Sequence, residues 1–162
     1  MSLQYSSHNI LRGAVIYTAG DSIAALILGE FMWSRLLGLA LVGATVYAFE
    51  IPNYFNWIEK QVNGKTGQRA ALYKTGLAIL YFNPLWIGRH FVFINFFSGQ
   101  WETITWDLLR VAGYSFLVNI PLSLIGNYVI QNVVRLPWRF FASAVFSALM
   151  AIYYAVSMVW FD

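Results

Sequence analysis

Residues 108–131 read LLRVAGYSFLVNIPLSLIGNYVIQ, a mostly apolar stretch that is long enough to cross a bilayer as one helix. Within this stretch, a small or polar residue occurs at every fourth position from Ser115 onward. These residues are Ser115, Asn119, Ser123, Asn127 and Gln131. Lipid tails are as apolar as leucine, so helices in a bilayer associate through close packing and polar contacts. The stretch therefore predicts a transmembrane helix with one side reserved for neighbouring helices or for a polar solute.

Four more apolar stretches fill most of the remaining chain, and each is about as long as a membrane-crossing helix requires. The connections between them are short, and no linker divides the chain. We therefore predict an all-α fold, a polytopic membrane helix bundle of five transmembrane helices in a single domain, residues 1–162. In the alternative arrangement, four helices cross the membrane and one segment lies in the interface. The five predicted spans are 10–31, 36–57, 76–98, 108–131 and 140–161.

The four-residue step of small residues recurs in three other spans. Small residues four apart lie on one side of a helix and let two backbones approach closely. We therefore expect these positions to form helix contacts. They are Asp21, Ala25 and Gly29 in the first span, Ala40, Ala44 and Ala48 in the second, and Ser143, Ser147, Ala151 and Ala155 in the fifth.

The composition excludes several functional classes. Hydrophobic residues make up 59% of the chain and charged residues 10%, against about 25% charged residues in a soluble domain. The absence of cysteine excludes disulfides and thiolate metal sites. The basic residues form no cluster of the kind that binds nucleic acid. No metal-ligand spacing, phosphate-binding loop or catalytic carboxylate pair is present, so we expect neither an enzyme nor a cofactor-binding protein.

The distribution of basic residues predicts the orientation. With five spans, the N-terminus shares one side of the membrane with the connections near residues 59–74 and 135–139. Arg35 and Arg110 lie on the other side. Because basic residues favour the inner side, we expect the N-terminus on the matrix or cytosolic side. The basic residues of that side are Arg12, Lys60, Lys65, Arg69, Lys74, Arg135 and Arg139.

Four ionisable residues fall inside the predicted spans: Asp21, Glu50, Arg89 and His90. Charged groups at such depth are costly unless they are paired or hydrated, and they are therefore candidates for function. Asp21 and Arg89 fall at similar depth, so we expect them to pair or to meet through water. Such a pair would either act in transport or fix the helix register. His90 would act as a proton-sensitive gate or simply donate to a carbonyl.

The polar residues of the fourth span, Asn119, Ser123 and Asn127 in particular, have two interpretations. They line a path for a polar solute, or they hydrogen-bond to neighbouring helices. Pro121 and two other prolines, Pro52 and Pro84, lie within or at the edge of spans, where each removes a backbone donor. We expect Asn119 and Asn83 to satisfy the carbonyls that Pro121 and Pro84 leave free.

A series of single residues and spacings resembles the Mpv17/PMP22 family, small membrane proteins of peroxisomes and the mitochondrial inner membrane. The chain resembles a divergent member. The resemblance implies a membrane helix bundle that forms a channel or influences the metabolite balance of an organelle. It is carried by Gly20, Asp21, Arg35, Gly43, Pro52, Trp57, Lys74, Pro84, Pro121, Asn127, Tyr128, Val134, Leu136 and Arg139.

Three hypotheses about function follow. The first is a channel-like protein for small solutes in the mitochondrial inner membrane or the peroxisomal membrane. The second is a structural accessory subunit of a large inner-membrane complex, such as a respiratory complex or ATP synthase. The third, and least favoured, is a subunit in which His90 ligates a cofactor. The expected partners are membrane lipids together with other membrane subunits or further copies of the chain.

Overall fold

The computed structural model describes residues 3–82 and 84–161, and side chains within that part up to residue 153. All regular elements in the described part are helical, which confirms the predicted all-α class there. They are α1 (Ser7–Ile27), α2 (Trp33–Val42), a π-helical turn (Gly43–Tyr47), α3 (Ala48–Val62), α4 (Gln68–Tyr81), α5 (Pro84–Phe97), a 3₁₀ turn (Trp101–Thr103), α6 (Asp107–Asn132) and α7 (Leu136–Phe161).

Within the described residues, five helical stretches are long and apolar enough to cross a membrane. Each overlaps one predicted span. The main difference is in the third stretch, which begins at Gln68 and not near residue 76. Its first two turns consist of partly polar sequence that the prediction assigned to the preceding connection. The connection before it is correspondingly shorter than the sequence predicts. The stretches are Ser7–Ile27, Trp33–Val62, Gln68–Phe97, Asp107–Asn132 and Leu136–Tyr153.

The ends of α1 follow from local chemistry. Its N-terminus is capped by Ser6, whose hydroxyl accepts a hydrogen bond from the backbone N–H of Asn9 at 3.3 Å. Its C-terminus is closed by Gly29, which has a φ of 71°, and by the Glu30 N–H, which donates to the Ala25 carbonyl at 2.8 Å. Gly29 is exposed, so the expectation that it forms a helix contact is wrong. It ends the helix instead.

The prolines occupy different places in their helices. Pro84 is the first residue of α5, where its missing N–H costs nothing, whereas Pro52 and Pro121 lie inside α3 and α6. Pro121 leaves the carbonyl four residues earlier, that of Leu117, without its helical donor. The Asn119 amide donates to the Ser115 carbonyl and not to Leu117, so the expected role of Asn119 is wrong. The corresponding expectation for Asn83 lies outside the described residues.

The chain divides into two compact units, and the first comprises residues 1–53 and 140–162. In this unit α1 packs against α2, the π-helical turn and α7. A Cβ on Gly13 would collide with the backbone of Gly43, and a Cβ on Gly20 would lie 2.6 Å from the Ala148 Cα. These close backbone approaches are what small residues permit in membrane-type helix packing. None of these four residues was part of the predicted four-residue steps.

The π-helical turn lies beside α1 in the same unit. Tyr47 in this turn is fully buried, and its ring centroid lies 4.7 Å from that of Tyr17. The hydroxyl of Tyr5 donates to the Ala44 carbonyl at 3.0 Å. A π-helical turn replaces the regular i to i−4 bonds of an α-helix with i to i−5 bonds. The sequence carries no clear signal for this turn.

The second unit comprises residues 54–139. In it, α6 packs against both α4 and α5. The Asn132 amide links α6 to α4, since it donates to the Thr75 hydroxyl at 3.2 Å and to the Ala71 carbonyl at 3.4 Å. Gly88 of α5 faces Leu109 of α6, where an added Cβ would be only 3.0 Å from the leucine Cδ2. The helical stretch Trp33–Val62 contributes to both units, and the single domain stays a prediction.

Candidate functional site

A buried ion pair joins α1 to the start of α2 in the first unit. The Arg35 Nε donates to Asp21 Oδ2 at 2.8 Å, and Nη2 donates to Oδ1 at 2.7 Å. Only 5% of Asp21 and 8% of Arg35 is exposed. The expectation that Asp21 pairs with Arg89 is therefore wrong. The short connection between α1 and α2 returns the chain alongside α1 and brings Arg35 to Asp21.

The geometry of this pair is that of a fixed structural contact. Two parallel N–H···O bonds satisfy both carboxylate oxygens, which is the strongest arrangement available to arginine and a carboxylate. Glu30 lies at the rim, with Oε2 3.8 Å from the Arg35 Nη1 and its own side chain largely exposed. Asp21 lies six residues before the end of α1. The pair therefore holds the α1–α2 hairpin in register.

The residues Ser115, Asn119, Ser123, Asn127 and Gln131, which we call the α6 polar stripe, all lie on one long helix of the second unit. The first three are half-buried. Asn127 is 4% exposed and Gln131 is completely buried. The stripe thus becomes more buried toward the C-terminal end of α6.

Two amides of the α6 polar stripe donate to carbonyls of their own helix. The Asn119 Nδ2 bonds the Ser115 carbonyl, and the Asn127 Nδ2 bonds the Ser123 carbonyl at 2.9 Å. These bonds use one donor of each amide and leave the other groups available. Among the described residues, the Asn127 Oδ1 and the Gln131 Nε2 have no hydrogen-bond partner although both are buried. Such groups need a water or a solute, because an unsatisfied buried polar atom is costly.

A cluster of charged side chains, which we call the ion cluster, lies where the α6 polar stripe ends. The Glu59 Oε1 accepts hydrogen bonds from the Arg139 Nη1 and from the Lys74 Nζ, the latter at 3.2 Å. Arg139 also donates from Nε to the Val134 carbonyl at 3.0 Å and from Nη1 to the Gln131 Oε1 at 3.3 Å. With one carboxylate and two cations, the cluster is formally positive by one charge.

The ion cluster brings together two residues of the family resemblance, Lys74 and Arg139, with Glu59, which sequence reasoning missed. The sequence did contain a signal for Glu59. It is the only Asp or Glu between residues 51 and 101, and it lies in the connection between two predicted spans. Asn127, another residue of the resemblance, lies one helical turn from Gln131, which bonds Arg139. Three residues of the resemblance, Lys74, Asn127 and Arg139, therefore lie toward one end of the second unit.

The remaining candidates are at other positions of α3 and on α5. Glu50 is in the first turn of α3, in the first unit, and is half-buried. Arg89 and His90 are on α5, in the second unit, where the His90 ring stacks on Trp86 with 5.8 Å between centroids. Trp57 of α3 stacks on Tyr54, 5.2 Å away. In the described part of the chain, no three His, Asp or Glu side chains come together as a metal site would require.

Comparison with known proteins adds no identification: no family model, curated protein or solved structure matches the chain.

Proposed function

We propose that the chain is an integral membrane protein similar to the Mpv17/PMP22 family, with channel-like activity for small polar solutes along the α6 polar stripe. The observation that supports the proposal is the junction of this stripe with the ion cluster. There the buried Gln131 accepts from Arg139, while its own Nε2 and the Asn127 Oδ1 remain available for a water or a solute.

The surface of α6 supports insertion in a membrane. Leu117, Val118 and Ile125 are 61%, 78% and 65% exposed. Large apolar side chains at such density are unfavourable in water and suit contact with lipid tails. The charge bias of the connections supports an N-terminus on the matrix or cytosolic side. The family resemblance supports the mitochondrial inner membrane, with the peroxisomal membrane as the alternative.

The chemistry of the proposed path is that of hydroxyl and amide groups. Serine hydroxyls and asparagine amides exchange hydrogen bonds with water and with uncharged polar solutes without binding either tightly. The ion cluster at one end supplies charged donors. The path needs no cofactor and no covalent step, and its selectivity would follow from its width and from the groups that line it.

Flux measurements on reconstituted vesicles test the proposal. Asn127→Leu and Asn119→Leu remove polar groups of the stripe with little change in volume, and we expect them to reduce the efflux of small polar solutes. Val118→Leu and Ile125→Leu change exposed apolar positions of the same helix and serve as matched controls. The proposal is wrong if the wild-type chain conducts none of a size series of such solutes, or if both asparagine variants conduct as the controls do.

A structural accessory subunit of a large inner-membrane complex is the second candidate. The subunit hypothesis is favoured by polar groups that already have partners within the chain: Asp21 pairs with Arg35, and the amides of Asn119 and Asn127 donate to carbonyls of their own helix. Trp33 and Trp106 are 71% and 86% exposed and are available for contact with other subunits or lipid. The native mass in a mild detergent separates the candidates. A few copies of the 18.5 kDa chain favour a channel, and a much larger particle favours a subunit.

A further inference from the structure

One end of the second unit carries a set of exposed cations, which we call the cationic end. Each of its four residues is exposed. No carboxylate within the described residues pairs with any of them. The chain contains no Asp or Glu between residues 60 and 101 or between residues 108 and 161. The set consists of Lys60, Lys65, Arg69 and Arg135.

Two contacts between neighbouring helices place these cations at one end of the second unit. Glu59, directly before Lys60, bonds Arg139 in the first turns of α7. The Asn132 amide, at the end of α6, bonds the Thr75 hydroxyl of α4. The connection between α3 and α4 therefore lies at the same end of the second unit as the connection between α6 and α7, which carries Arg135.

The one carboxylate at this end cannot neutralise the cationic end. Glu59 is held by Arg139 and by Lys74, which lies 3.2 Å away. The connection itself is a tight turn, with positive φ at Asn63 and Gly64 and a bond from the Lys65 N–H to the Val62 carbonyl at 3.0 Å. This turn has a defined backbone conformation, and Lys65 is exposed on it.

Aromatic residues mark the depth of this end relative to a bilayer. Trp57 lies one turn before Lys60 and is 37% exposed, and Trp138 lies beside Arg139 and is 51% exposed. Tryptophan favours the level of the lipid headgroups. When the helices cross a membrane, the neighbouring cations then lie at the level of the phosphates.

We propose that the cationic end binds the headgroups of anionic phospholipids. A Lys or Arg near a negatively charged leaflet is attracted to it at short range, and the attraction adds over a cluster. Four cations without a competing carboxylate form such a cluster. The proposal rests on the membrane insertion under Proposed function but not on the channel activity.

Quenching of tryptophan fluorescence by brominated lipids tests the proposal on the full-length reconstituted chain, since Trp57 and Trp138 adjoin the cations. We expect brominated phosphatidylglycerol to quench with several-fold higher apparent affinity than brominated phosphatidylcholine. The variant combining Lys60→Gln, Lys65→Gln, Arg69→Gln and Arg135→Gln should lose most of this preference. Arg110→Gln is the control, because Arg110 is also exposed but has an acidic neighbour, Asp107, at 3.5 Å.

Three results would overturn the proposal: equal affinity for the two lipids, an unchanged preference in the fourfold variant, or an equal loss in Arg110→Gln. Loss of the preference when inorganic phosphate is added would also overturn it, because the site would then recognise a free anion. Resistance to alkaline extraction from the vesicles reports insertion separately. A chain that inserts without lipid preference contradicts only this inference, whereas a chain that does not insert contradicts the proposed function.

Discussion

Asp21 and Arg35 are fourteen positions apart in the chain, yet Arg35 Nε and Nη2 reach both carboxylate oxygens of Asp21, at 2.8 and 2.7 Å. Both residues are buried. A buried pair of this kind contributes little compared with a well-packed apolar pair, but loss of one partner leaves an uncompensated charge. The pair is therefore best understood as a determinant of the α1–α2 register.

This relationship predicts strong coupling between substitutions. Asp21→Leu alone and Arg35→Leu alone should each lower the free energy of unfolding by about 3 to 5 kcal/mol, because each leaves its partner without an opposite charge. The double variant Asp21→Leu with Arg35→Leu should lose much less than the sum. Denaturant titration followed by circular dichroism in detergent measures all three. Additive losses would show that the two side chains act independently.

The close contact of α1 with the π-helical turn predicts that glycine is required at Gly13. Gly13→Ala should lower the free energy of unfolding by about 1 to 3 kcal/mol, because the new Cβ meets the backbone of Gly43, which cannot move aside easily. Gly76→Ala is the control, since nothing lies within 4 Å of a Cβ added in this part of α4. That change should be neutral or stabilising by up to about 1 kcal/mol through helix propensity. Equal effects in the two variants would contradict the packing.

The contacts of the ion cluster predict which of its two cations contributes more to the free energy of unfolding. Arg139→Gln should destabilise more than Lys74→Gln. The Arg139 side chain is 8% exposed against 16% for Lys74, and it also bonds the Val134 carbonyl and Gln131. We expect losses of about 3 and about 1 kcal/mol in the free energy of unfolding, measured by denaturant titration. The reverse order would mean that Lys74 is the main partner of Glu59.

Substitution of Asn127 should affect the solute flux and the free energy of unfolding differently. Asn127→Leu removes a buried Oδ1 that has no partner among the described residues, so the free energy of unfolding should fall by less than about 1 kcal/mol or should rise. Solute flux should fall in the same variant if the α6 polar stripe forms the path. Thermal unfolding and vesicle efflux on one preparation give both values. A large loss of stability would show that Asn127 serves the packing of α6.

Several features of the fold could be predicted from the sequence because they depend on neighbouring residues. Long apolar runs predict helices because a backbone in lipid must satisfy its own polar groups, and the five long helical stretches of the described residues agree with those runs. Ser6 and Pro84 lie where local chemistry starts a helix, but neither was predicted from the sequence as a helix start. The regular step along α6 correctly marks the positions that become buried at Asn127 and Gln131.

The partners of the charged residues depend on distance in space. The sequence by itself determined that Asp21 lies on a membrane-length helix and that Glu59 and Lys74 flank a connection. Only the tertiary structure decided that Asp21 pairs with Arg35, and that Arg139 joins Glu59 from eighty positions away. The physical reason is that sequence periodicity determines which side of its own helix a residue occupies, whereas the packing of the helices determines which residues of other helices it contacts. That packing turns on a few close approaches such as Gly13 with Gly43, which no local pattern reveals.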